Sequence, residues 1–72
     1  MRVLIIGAGG HAQVVADSLA SAAEAGAAVV PLGYVDDAPE LAGQVRAGLP
    51  VLGAIADRER IPHEAVVVAI GD

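Results

Sequence analysis

The sequence contains no cysteine, no lysine, no phenylalanine and no tryptophan, and its one tyrosine is Tyr34. Each gap removes a class of function. Without cysteine there are no disulfides and no thiolate metal sites, and the absence fits a reducing compartment. The basic residues are four arginines against nine acidic residues, for a formal net charge of -5. No basic stripe is therefore available to follow a nucleic-acid backbone or to lie on an anionic membrane. Long hydrophobic runs are missing too. Residues 3–6 are apolar but Gly7 closes them, too short for a signal-peptide core. No segment approaches the ~20 apolar residues that span a bilayer. Together these gaps lead us to expect a cytoplasmic protein with neither a nucleic-acid nor a membrane partner. With 56% hydrophobic residues the chain should fold, but its apolar content is mainly Ala and Val, which bury little area each. At 72 residues, a thin core in one domain spanning 1–72 is expected, close to the lower size limit for independent folding.

What is present reads as alternating strands and helices. Residues 3–6 (Val-Leu-Ile-Ile) form a continuous run of branched side chains ended by glycine, the signature of a strand buried on both faces. Over residues 11–25 the period becomes helical. Ala12, Val15, Ala16, Leu19, Ala22 and Ala23 form one apolar stripe, with Gln13, Asp17, Ser21 and Glu24 on the other side and Gly26 as the stop. Residues 28–35 are extended but interrupted by Pro31, which implies an edge, an entry point or a bulge; the cleaner part is 33–35. Asp36-Asp37-Ala38-Pro39 then turns the chain. Residues 40–49 read as a loop of weak helical potential, 50–53 as a very short strand, 54–60 as a short helix stopped before Pro62, and 66–70 as a second strand buried on both faces.

The order β-α-β-β-α-β implies an α/β fold, a small Rossmann-like parallel sheet with flanking helices and right-handed crossovers. The two most apolar strands should be neighbours at its centre. Because the chain stops one residue after Gly71, with half of a doubly wound sheet present, a fragment of a longer protein is expected.

The chemistry concentrates in Gly7-Ala8-Gly9-Gly10-His11-Ala12. It meets the Gly-x-Gly-x-x-Gly/Ala fingerprint in its required setting, after a strand and at the head of a helix. Gly7 permits a sharp turn. Gly9 and Gly10, lacking Cβ, let a diphosphate approach the backbone, and the unpaired amides of the first helical turn point at that anion. Ala12 allows close contact between helix and strand. His11 is either a donor to the anion or an ordinary solvent-facing first-turn residue. Asp36 and Asp37 sit where such folds place an acid to accept bonds from a ribose or a base, and they serve equally well as turn formers ahead of Pro39. Gly71 ends the last strand beside the glycine loop, where a ring could come close, or simply terminates that strand. His63 reads as solvated loop, and Asp57, Arg58, Glu59 and Arg60 as a charged helix face. No nucleophile set, paired carboxylates or metal cluster stands out.

With those residues in place, the chain resembles the N-terminal domain of the sialic acid O-acetyltransferase (NeuD) and UDP-4-amino-sugar N-acetyltransferase (PglD) family. The resemblance rests on residues 3–15 (Val-Leu-Ile-Ile-Gly-Ala-Gly-Gly-His-Ala-Gln-Val-Val), Gly33-Tyr34-Val35-Asp36-Asp37, Pro50-Val51-Leu52-Gly53 and Val68-Ala69-Ile70-Gly71-Asp72. It implies a domain that binds the acceptor, a nucleotide-linked sugar such as a UDP-sugar. Gly9, Gly10 and His11 would lie against diphosphate and sugar, Asp36 and Asp37 at the uridine end, and Gly71 in the same pocket. It further implies a left-handed β-helix domain, absent from these residues, that binds acetyl-CoA, supplies the catalytic base and trimerises the enzyme. On this reading the 72 residues bind no cofactor and transfer no acyl group alone. The fingerprint by itself also allows the first half of an NAD(P)-dependent oxidoreductase, or a non-catalytic interaction module without a ligand.

Overall fold

The computed structural model describes residues 1–70. It contains β1 (Arg2–Ile6), α1 (Gly10–Glu24), β2 (Val30–Val35), a 3₁₀ turn (Pro39–Leu41), β3 (Val45–Arg46), β4 (Leu49–Gly53), a 3₁₀ segment (Ile55–Arg60) and β5 (Ala65–Val68). The sheet order is β3-β4-β2-β1-β5. β1 pairs in parallel with β2 and β5, β2 pairs in parallel with β4, and β3 pairs antiparallel with β4. This is the expected Rossmann-like α/β arrangement, with one antiparallel strand at its rim.

The helical stripe behaves as its spacing requires. Ala12 and Ala16 are buried, Val15, Leu19, Ala22 and Ala23 are partly covered, and Asp17, Ser21 and Glu24 are exposed. The small buried side chains let α1 lie close on Ile5, Tyr34 and Val51, which with Ala8 and Ala69 complete one core. Pro31 sits at a bulge: Val3 pairs with Pro31 but Leu4 pairs with Gly33, leaving Leu32 over. The β2–β4 ladder begins only at Tyr34, so Pro31 interrupts no bond on that side. A Cβ on Gly33 would meet the Pro50 carbonyl oxygen at a separation no real side chain shows, and its φ is 153°. Glycine is what lets β4 approach there.

Four expectations are corrected. First, β5 does neighbour β1, but among the described residues it is an edge strand rather than a central one. Its exposure alternates, with Val66 and Val68 open to solvent. Register puts these two beside Leu4 and Ile6, on the face away from α1, and the one long helix covers only the other face. A run of valines thus reads as doubly buried although only one layer packs on it.

Second, residues 54–60 are not α-helical. Asp57 N–H donates to the Ala54 carbonyl and Ile61 N–H to the Arg58 carbonyl, i→i+3 bonds that wind the segment as 3₁₀. Third, residues 40–49 are not a plain loop. They hold the 3₁₀ turn and a hairpin, in which Ala47 (φ 49°) and Gly48 (φ 79°) connect β3 to β4. Two positive φ angles in a two-residue connection are the tight-hairpin geometry that matches strand twist. Fourth, His63 is partly buried rather than solvated, and its Nδ1 donates to the Ile61 carbonyl at 2.6 Å.

Candidate functional site

The chain direction fixes the place of the site. From β1 the connection through α1 moves to β2 and on to β4; from β4 it returns across the sheet to β5, on the far side of β1. The reversal point lies at the carboxyl ends of β1 and β5, where open α/β sheets form a crevice. The glycine loop stands there. Gly7 N–H donates to the Val35 carbonyl at 2.8 Å and Ala69 N–H to the Ile6 carbonyl at 2.8 Å, so three strand ends converge under it. Gly7 has φ 111°, and a Cβ added to it would lie 2.7 Å from the Ala69 carbonyl oxygen. Its lack of a side chain is required by both dihedral and space.

The head of α1 is open. Gly9 is its N-cap and supplies no side-chain acceptor, and the first turn holds no acidic residue. The first helical bond runs from Gln13 N–H to the Gly9 carbonyl at 3.1 Å. The amides of Gly9, Gly10, His11 and Ala12 therefore have no acceptor among the described residues. A Cβ built on Gly10 meets nothing within 4 Å. His11 is exposed beside it, whereas Ala12 is fully buried and seats the helix on the sheet.

The loop is braced through a single residue, by the peptide units on either side of Ala8. Ala8 N–H donates to Asp36 Oδ2 at 2.9 Å, while Arg46 Nη1 donates to the Ala8 carbonyl at 2.8 Å. Asp36 Oδ1 accepts from Ala38 N–H at 2.9 Å. Both Asp36 oxygens are thus committed to backbone, and the carboxylate joins the glycine loop to the turn after β2. Asp37 points elsewhere, with Oδ1 accepting from Ile55 N–H at 2.9 Å at the start of the 3₁₀ segment. Gly7, Gly9, Gly10, His11, Ala12 and Asp36 come together at this loop, Asp37 stands next door facing the 3₁₀ segment, and Gly71 lies outside the described residues.

Sequence reasoning missed Arg46. It rides on β3, and its own carbonyl accepts the Tyr34 hydroxyl at 2.9 Å. Tyr34 is fully buried, and burial raises its phenol pKa, helped by the charge of Asp17 and opposed by that of Arg46. The donor therefore stays protonated and fixes the strand that carries the guanidinium. The available signal was the Ala-Gly pair at 47–48 between two short apolar stretches, a weak form of the hairpin signature.

No group of three or more His, Asp or Glu side chains among the described residues is arranged to hold a metal ion. No helix among them is long and apolar enough to cross a membrane.

Residues 2–72 match the PglD N-terminal domain. The chain belongs to that family. No curated protein matches it. Membership places the domain with the sugar acyltransferases.

Proposed function

We propose that this domain binds the acceptor of a sugar acyltransferase, a nucleotide-linked sugar of UDP type, with the diphosphate at the head of α1. One observation carries the reading: four consecutive amides, from Gly9 to Ala12, have no acceptor among the described residues at the switch point of the sheet. The partial positive charge at a helix N-terminus then favours the anion, and the bare Gly10 leaves room for it. His11, exposed in the same turn, contributes a donor to the phosphate or sugar. Asp36 acts first as the brace of the loop; each of its oxygens retains a lone pair toward the nucleoside end.

In the full enzyme, the amine or hydroxyl of the bound sugar attacks the thioester carbon of acetyl-CoA, a general base takes its proton, and the C–S bond breaks to release CoA as its thiol. Acetyl-CoA, the base and trimer contacts belong to a β-helix domain beyond these residues. The present domain holds the acceptor in place. We place the enzyme in the cytoplasm. Calorimetry of the chain with UDP-N-acetylglucosamine and with NAD tests the reading. Heat with the first and none with the second is expected; the reverse supports an oxidoreductase half, and no heat with either from folded protein supports a ligand-free interaction module.

A further inference from the structure

We infer that Arg46 is a specificity-determining residue of the same site, the side chain that makes the glycine loop accept a diphosphate rather than a neutral or singly charged group. The inference rests on the proposed acceptor binding. It begins with a charge balance. The head of a helix carries roughly half a positive charge. Asp36, bonded to the loop at Ala8 N–H, carries a full negative one. Together these leave the loop facing an incoming anion with a net unfavourable charge, in a chain already at -5. The guanidinium of Arg46, bonded to the carbonyl of the same residue, reverses that sign.

No other cation is placed to do so. Arg2 is paired with Glu64 at the opposite end of β1, Arg60 with Asp57, and Arg58 donates to the Ile55 carbonyl in the 3₁₀ segment. Arg46 meets no carboxylate within salt-bridge distance among the described residues, and one of its five N–H donors is used, on Ala8. The remaining donors form a planar fork suited to two phosphoryl oxygens. The residue is also preorganised: β3 is paired to β4, and the hydroxyl of the buried Tyr34 holds the Arg46 carbonyl. A ligand therefore meets an arginine already standing at the loop, at little entropic cost.

The test compares UDP binding by the intact chain and by Arg46→Gln and Arg46→Lys, over a range of salt concentrations, with circular dichroism to confirm folding. Loss of one charge-assisted contact should weaken UDP about 10- to 100-fold in Arg46→Gln. Arg46→Lys, which keeps the charge without the fork, should fall between. The salt dependence of binding should be steep in the parent chain and flatter in Arg46→Gln. If Arg46 merely braced Ala8, the glutamine variant would weaken binding with its salt dependence unchanged, and lysine would rescue nothing; that result overturns the inference. Equal UDP affinity in all three proteins overturns it too, while leaving the acceptor reading intact. Should Arg46→Gln fail to fold, the lysine variant and the parent salt dependence decide, and a salt-independent parent overturns it. A parent chain that binds no UDP refutes the acceptor reading itself, and this inference with it.

Discussion

The two ends of β1 are built on opposite principles. At its amino end the polar groups that meet the neighbouring strands bond within the chain. The Met1 ammonium donates to the Ala28 carbonyl at 2.7 Å, Val30 N–H to the Met1 carbonyl at 2.8 Å, and Glu64 N–H to the Arg2 carbonyl at 3.0 Å. The Glu64 carboxylate accepts both from Arg2 N–H and from the Arg2 guanidinium. At the carboxyl end the chain turns on Gly7, and four amides have no acceptor among the described residues. One end fastens strands β2 and β5 to β1. The other withholds the same kind of bond so that a ligand can supply it. In a domain whose core is mostly Ala and Val, the closed end and the Ala8 brace make up for what the open end forgoes.

The largest effect should come from Gly7→Ala. The new Cβ would sit 2.7 Å from the Ala69 carbonyl oxygen on a backbone at φ 111°, a cost of about 3 kcal/mol or more. A 72-residue domain has only about 4–10 kcal/mol in total, so thermal melts should show gross destabilisation. Gly10→Leu, three residues on, should leave the melting temperature nearly unchanged, because nothing lies within 4 Å. It should instead weaken UDP-N-acetylglucosamine about tenfold or more by calorimetry. If the two variants behaved alike, the distinction between a structural and a binding glycine would fail.

Asp36→Ala strands the Ala8 and Ala38 amides and should lower stability by about 2 kcal/mol in urea titrations. A smaller effect marks the closed end. The Arg2 guanidinium holds the Glu64 carboxyl down at about 2, against an ordinary 4.5. A depressed folded-state value means the pair's contribution is fully present above about 4.5 and is lost as the pH falls toward about 2. Both side chains are nearly half exposed, so added salt should shrink the effect. Glu64→Gln should flatten the melting temperature across that acid window; an unaltered profile would show that the pair contributes nothing to folding. Smallest of all, Ala47→Gly should raise stability by about 0.5 kcal/mol, since it relieves a positive φ on an alanine.

Much of this division is legible in the sequence. The Gly7 turn, the α1 stripe and the proximity of Ala69 to the loop follow from local spacing and from the handedness of crossovers. What escapes local reading depends on partners far along the chain. Arg46 looks like one more charge in a polar stretch until the hairpin folds it 38 positions back onto Ala8. Asp36 reads as a ligand acceptor because its two backbone donors, Ala8 and Ala38, are set by the tertiary fold. The valines of β5 look doubly buried because hydrophobicity records what a side chain tolerates and not what lies against it. The 3₁₀ segment differs from an α-helix by one step of hydrogen bonding that composition does not encode.

The most direct measurement is a two-dimensional amide NMR titration of the chain with UDP. The account requires the Gly9, Gly10, His11 and Ala12 amides to move first and furthest, while Arg2 and Glu64 at the closed end stay fixed. Saturating UDP that leaves those four signals in place, or that shifts β5 or the 3₁₀ segment instead, would contradict it.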